Sequence, residues 1–429
     1  MAGLAKRNGG RAGLFALVAI LLLGLGLRLD NAWQGRAPVF DAAAYARIAE
    51  NLDQNHGFTL GTTATQPASN YSPGLPLFVG GVYKLTGGVH ERAARLVLAL
   101  IGALSVLFTY LIGRRLSSPV AGLIGAAAIA IYPALVEYQG MLMGEPLAAA
   151  LLSGGVLAML WAGSRTGGAI WLLPGALLGA LALVRPEYLG VSLLLAVVVF
   201  LRDRAAWRSS LARAAILLAG VALIVAPWTA RNAVALDRFV PISTGDGQVL
   251  FAGTYLPSGG DPEEVGAEVV ERHPGIFNPA DAQRLKLEQI LARLAAHRYP
   301  GVESDKALSR MGKEQLWDDI SEEPLEYAGF VAAKIGRIWS HGPRDVMREP
   351  IWELLHWALV AFALLGLIVL ALRRRWEALL LATIFVSITA ISALLVASPR
   401  RVLVMMPLVA ALAGSGTVAA HAYLRRIRH

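Results

Sequence analysis

Runs of apolar residues about as long as a bilayer is thick recur along this chain, and they limit its fold more than any other feature. "AGLFALVAILLLGLGLRL" (12–29) is the first of them. About 20 apolar residues carry an α-helix across the hydrocarbon core. Inside lipid, only a helix or a closed barrel satisfies every backbone N–H and C=O. Spans are predicted at 13–29, 92–113, 119–135, 145–162, 169–184, 187–201, 211–228, 352–372, 376–397 and 402–420. The stretch 169–201 is too long for one crossing and Pro186 interrupts it, so it reads as a tight hairpin of two short helices. The expected class is an all-α polytopic membrane protein with about ten transmembrane helices and amphipathic helices at its outer face.

Composition agrees. Of 429 residues, 56% are hydrophobic and 16% charged. An ordinary soluble domain is about 25% charged. The absence of cysteine excludes a disulfide framework, thiolate chemistry and a thiolate metal site. A net charge of +9 does not point to nucleic acid in such a chain. It records which loops face the cytoplasm. With the N-terminus inside, the inside segments carry Lys6, Arg7 and Arg11; Arg114 and Arg115; Arg165; Arg202, Arg204 and Arg208; Arg373, Arg374 and Arg375; Arg425, Arg426 and Arg428. Every one is basic, and an even number of crossings returns the C-terminus to the same side. The basic start "MAGLAKRNGGR" resembles a signal peptide, but no small-residue cleavage site follows it, so a retained first helix is expected.

Three parts are expected: an N-terminal membrane module (1–228) containing a first outer loop (30–91), a long outer segment (229–351), and C-terminal membrane helices (352–429). Within the outer segment, "DAQRLKLEQILARLAAH" (281–297) and "LEYAGFVAAKIGRIW" (325–339) have helical periodicity. The segment reads as too short for a large independent domain. There is no internal repeat of the kind many transporters carry.

Some charges break the pattern. Asp41 follows the first span, in "APVFDAAAYARIAENLDQNHGF" (37–58). Glu145 opens the fourth span. Arg185, Glu187, Arg400 and Arg401 sit at outer helix ends, where the charge rule disfavours arginine. Ionisable groups at a membrane helix are costly and mark functional sites. Each also has a plainer role. Asp41 suits an N-cap, and Glu145 suits a helix N-terminus. Arg185 and Glu187 can pair with each other. Arg400 and Arg401 can snorkel to headgroups. Tyr45 shares a helix face with Asp41 and suits interfacial packing. Taken together, carboxylates and arginine forks at one depth fit transfer of a group from a lipid-linked phosphate to a hydroxyl. Arginine binds phosphate bidentately, and a carboxylate accepts the hydroxyl proton. A transporter or lipid flippase is the rival class. The clustering of charge at one face, rather than at midplane, favours an enzyme.

At this point the sequence resembles the C-type glycosyltransferases (GT-C fold), in the branch of bacterial dolichyl-phosphate-mannose protein mannosyltransferase-like and aminoarabinose-transferase-like enzymes. "FDAAAYARIAENLDQNHGF" (40–58) is similar to the family's first outer loop, with an acid, a spaced tyrosine and a "GxG[FY]"-like ending. "YSPGLPLFVGGVYKLTGG" (71–88), "ERAARLVLALIGALSVLFTYLIGRRL" (91–116), "GEPLAAALL" (144–152), "LVRPEYL" (183–189) and "APWTARNAVALDRFVPISTGDG" (226–247) follow in the family's order.

The resemblance implies an inverting transfer from a polyprenyl-phosphate sugar to a glycan, lipid or protein hydroxyl, at the outer face of the cytoplasmic membrane. Asp41 would be the catalytic base. Tyr45, Glu145, Arg185, Glu187, Arg400 and Arg401 would bind substrate. Two departures matter. Many relatives carry adjacent acids where Asp41 is followed by Ala42, and no D-x-D pair occurs in that loop. No metal and no other cofactor are therefore expected; His56, His90 and His273, in the outer segments, are the side chains that could hold a cation with a nearby carboxylate.

Overall fold

The computed structural model of the chain describes residues 2–61, 67–203, 205–259, 261, 263–340 and 342–427, with side chains described from Arg11 onward. Arg204 and Arg428, and the side chains of Lys6 and Arg7, expected to mark the inside, lie outside the described residues.

The described residues are helical, with no strand among them. The chain opens with α1 (Ala2–Gln34), α2 (Asp41–Asp53), α3 (Gly74–Thr86), α4 (Glu91–Leu116), α5 (Pro119–Ile131) and α6 (Pro133–Glu137). It continues through α7 (Glu145–Ala162), α8 (Leu172–Val184), α9 (Glu187–Leu201) and α10 (Trp207–Leu236). Next come α11 (Asp246–Thr254), α12 (Val265–Arg272), α13 (Asp281–Arg284), α14 (Leu287–Arg298), α15 (Ser304–Glu322) and α16 (Pro324–Ser340). The last are α17 (Pro350–Leu372), α18 (Trp376–Leu394) and α19 (Pro399–Ile427). Among the described residues, seven helices are long and apolar enough to cross a membrane: α1, α4, α7, α10, α17, α18 and α19. The pair α5 and α6, bent by 56°, makes an eighth span if taken together. The predicted hairpin is present as α8 and α9, both shorter apolar helices that part at Pro186.

The chain divides into two compact units. One holds Met1–Ser243, Gly342–Phe385 and Leu403–His429; the other holds Thr244–His341 and Val386–Val402.

In the larger unit, small residues let helix backbones meet. A Cβ at Gly113 of α4 would lie 2.9 Å from the Cα of Gly122 in α5, and one at Gly175 of α8 would lie 3.0 Å from the Cα of Gly220 in α10. Such close approach is how membrane helices gain contact without a hydrophobic drive. The bend after α5 has a specific cause. Pro133 cannot continue the helix, so carbonyls near the end of α5 lose their partners. Arg28 of α1, fully buried, supplies them: its guanidinium donates to Ala130 O at 3.1 Å and Ile129 O at 2.9 Å. Below the bend, the Tyr132 hydroxyl and His356 Nδ1 are 2.9 Å apart, and Arg344 pairs with Glu137 at 2.8 Å.

The smaller unit has its own hydrophobic core. Phe251, Val265, Val269, Ile290, Leu291 and Leu308 are buried together there. Helices α11 and α15 cross closely at Gly247, whose N–H donates to Asp305 Oδ1 at 3.0 Å. The helix predicted over 281–297 is corrected. It breaks between α13 and α14, where Leu285 and Lys286 are extended, and the Lys286 N–H donates to the Gln289 side chain to start a new helix. The helix predicted over 325–339 is present as α16.

Candidate active site

Asp41 is the first residue of α2. The capping position belongs to Phe40, so the reading of Asp41 as N-cap is corrected. Phe40 is 92% exposed and has φ +49°, a left-handed conformation that a bulky residue adopts only under constraint. Asp41 and Tyr45 are half-buried. Tyr45 meets Tyr71 edge-on, with ring centroids 5.8 Å apart.

The rest of the first outer loop is strapped to its neighbours. Gly57, at φ +78°, turns the chain back after α2. Asn51 donates to the carbonyls of Thr59 and Gly61, each at 2.8 Å. Phe58 then packs edge-on against Trp228 of α10, at 4.8 Å. The "APWTARN" stretch is itself a clasp. Trp228, Thr229 and Asn232 donate to the carbonyls of Ile242, Pro241 and Val240, pinning the chain that returns from α10. The guanidinium of Arg231 lies over the Trp228 ring at 4.8 Å.

Glu145 is the first residue of α7 and has no exposed surface. Arg185 follows the last residue of α8, where extended backbone and Pro186 turn the chain into α9. Its Nη2 donates to Glu145 Oε1 at 2.5 Å. Glu187 is the first residue of α9 and half-buried. The fold brings Glu145 to Arg185, a partner that the sequence did not suggest.

Glycine contacts explain why these stretches converge. A Cβ at Gly74 would lie 2.6 Å from Val184, and one at Gly144 would lie 3.0 Å from the same side chain. Val184 thus wedges between the heads of α3 and α7 and sets Arg185 beside Glu145. The Arg36 N–H donates to the Gly140 carbonyl at 2.9 Å, tying the loop ahead of Asp41 to the segment ahead of Glu145.

Arg400 and Arg401 belong to the smaller unit. They were expected at an outer helix end, just past the span predicted at 376–397. Instead α18 ends at Leu394 and Pro399 opens α19, which puts both arginines in the first turn of the last helix. Proline at the first helical position is favourable because its missing N–H would be unpaired anyway. Arg401 Nη1 donates to the Val396 carbonyl at 2.5 Å.

Two basic side chains escaped the sequence reading. Arg28 holds the bend after α5. Lys334 of α16, fully buried in the smaller unit, donates to the Gly253 carbonyl at the end of α11 at 2.6 Å. Burial, with Arg401 and Arg337 adding to it, lowers the Lys334 pKa to about 8. Lys334 lies on the helical period of α16, but nothing in the sequence distinguishes it from a solvated lysine. Among the described residues, no three His, Cys, Asp or Glu side chains gather to hold a metal ion.

A family model described as dolichyl-phosphate-mannose-protein mannosyltransferase matches residues 69–230. A search of curated protein sequences returns no match. Among solved structures, the oligosaccharyltransferase AglB of Archaeoglobus fulgidus, in complex with an inhibitory peptide and a dolichol-phosphate, aligns with 97% of this chain and 51% of its own, at 14% identity and a TM-score of 0.58. The apo form of the Archaeoglobus fulgidus oligosaccharyltransferase aligns over the same shares at 17% identity and a TM-score of 0.59. ArnT from Cupriavidus metallidurans, bound to undecaprenyl phosphate, aligns with 94% of this chain and 78% of its own, at 16% identity and a TM-score of 0.45. The likeness to the oligosaccharyltransferase is one of fold. The chain is a multi-pass membrane protein with the GT-C fold, and it spans about half the length of that enzyme.

Proposed function

We propose that this chain is an integral membrane glycosyltransferase that moves a sugar from a polyprenyl-phosphate donor to a hydroxyl acceptor. One observation carries the reading: the mannosyltransferase family model matches the segment holding both Glu145 and Arg185, within a GT-C fold. The dolichol-phosphate in the archaeal complex supports a lipid-phosphate donor.

The mechanism assigns a role to each candidate. Asp41 accepts the proton of the acceptor hydroxyl. The oxygen attacks the anomeric carbon from the face opposite the phosphate, the bond from that carbon to the phosphate oxygen breaks, and the anomeric centre inverts. Polyprenyl phosphate leaves as an anion and requires fixed positive charge rather than a proton. Arg400 and Arg401 supply that charge, with Arg185 as a further cation. Glu145 holds Arg185 in place, while Tyr45 and Glu187 contact the sugar or acceptor. The reaction faces the outer side of the cytoplasmic membrane, because the inside segments are the basic ones.

The test uses purified protein in detergent with polyprenyl-phosphate mannose, arabinose, aminoarabinose, galactose or glucose. Protein-dependent release of polyprenyl phosphate is expected with one of them. Movement of the lipid across reconstituted vesicles without release would favour a flippase instead.

A further inference from the structure

A groove of about 910 Å³ runs between α4, α7 and α8, wholly within the larger unit. Its walls are apolar over most of their length, with Leu104, Phe108, Leu157 and Leu177 among the side chains that face it. One end differs. Arg114 and Arg115, from the last turn of α4, line it together with Ser164, just past α7. Neither arginine forms an ion pair among the described residues. Arg165 adds further positive charge there, its guanidinium 5.0 Å from the Trp161 ring.

This end is far from the candidate active site. Glu145 begins α7 and Trp161 is the last residue but one of its 18, which run from Glu145 to Ala162. At 1.5 Å per residue that is about 27 Å. The basic end of the groove is therefore distinct from the Glu145–Arg185 pair.

We propose that the groove binds one anionic glycerophospholipid, with an acyl chain in the trough and its phosphate on Arg114 and Arg115. The charge pattern selects this occupant. A trough of leucine and phenylalanine inside a bilayer accepts a hydrocarbon chain, and guanidinium forks bind phosphate oxygens two at a time. Basic pockets between membrane helices favour acidic headgroups. A headgroup carrying its own cation would meet Arg114, Arg115 and Arg165 together and be disfavoured. Trp161, between trough and basic rim, suits the boundary where one side of the ring is apolar and the other wet.

The test is native mass spectrometry of the purified full chain, delipidated and then titrated with phosphatidylglycerol or phosphatidylcholine of the same acyl chains. Wild type is expected to retain a single phosphatidylglycerol at least tenfold more strongly than phosphatidylcholine. R114Q/R115Q should lose that preference while keeping the wild-type melting temperature in detergent. L157W, which fills the trough and leaves the charges, should weaken both lipids. Equal retention of the two lipids by wild type, or unchanged phosphatidylglycerol retention by R114Q/R115Q, overturns the proposal. So does preferential displacement of phosphatidylglycerol by polyprenyl phosphate, which would identify a different occupant.

Discussion

Arg185 donates to the carboxylate of Glu145 across 2.5 Å, joining the end of α8 to the head of α7. The pair is asymmetric: the Glu145 side chain has no exposure, whereas that of Arg185 keeps 20%. Removing the arginine takes a cation away from a fully buried carboxylate, whereas removing the acid acts on a guanidinium that reaches water. Arg185→Ala should therefore cost about 3–5 kcal/mol of stability, and Glu145→Gln less. The double variant Glu145→Gln/Arg185→Ala should recover part of the Arg185→Ala loss. Detergent melts of the variants, read as a double-mutant cycle, check this. Additive losses would show that the two side chains are not coupled.

Asp41→Asn keeps the size of the side chain and its place at the start of α2. If Asp41 is the base, turnover should fall by ~10²–10⁴-fold while donor binding and melting temperature hold. Near-normal turnover would remove Asp41 from the mechanism.

Orientation is open to thiol labelling because the chain has no cysteine of its own. Left-handed backbone at Gly259 and Arg374 makes these poor places for one. Lys313 and Arg373 are exposed and avoid that strain. A cysteine at Lys313 should react with an impermeant reagent from outside intact cells, and one at Arg373 should not. The reverse pattern would put the candidate active site on the cytoplasmic face.

The apolar helices were legible because hydropathy is a property of composition, and the turn at Pro186 because proline acts locally. Helices α11, α12 and α15 were not, since none carries a long apolar run and their burial depends on partners distant in sequence. The same holds at the site. Glu145 and Arg185 were identifiable as costly charges, but their pairing depends on Val184 packing against Gly74 and Gly144. The place of Arg400 and Arg401 was not legible because the proline before them can stop a helix or start one. The "APWTARN" stretch was read only as part of the family resemblance. Its Trp228, Thr229 and Asn232 act as a clasp on the chain after α10.

Lys334 predicts a pH dependence of stability. Its folded pKa is lowered to about 8 from an ordinary 10.5, by burial first and by Arg401 and Arg337 after it. Between those values the unfolded chain binds the proton that the folded chain releases, so stability rises with pH across that window. Below it the penalty is present in full. Wild type should therefore gain melting temperature relative to Lys334→Met as pH climbs from about 8 to about 10. A difference that stays constant across that range would mean the lysine titrates normally.

The arginines at the head of α19 give the sharpest test of the phosphate assignment. The first turn of a helix is an unfavourable place for a cation, because the N-terminal end of the helix dipole is already positive. The same free N–H groups favour a bound anion, so a phosphate there would relieve what the arginines aggravate. The two side chains are not equivalent. Arg401 also donates to the Val396 carbonyl, so Arg401→Ala should lose stability as well as activity. Arg400→Ala should weaken donor binding, slow turnover, or both. Arg400→Lys should be impaired too if the contact is bidentate, since an ammonium cannot reproduce the fork. A side chain that only anchors the helix to lipid headgroups would tolerate lysine fully. Donor affinity and rate measured for both lysine variants decide between the two. If both match wild type, there is no bidentate clamp at the head of α19, and Arg185 becomes the candidate for the phosphate.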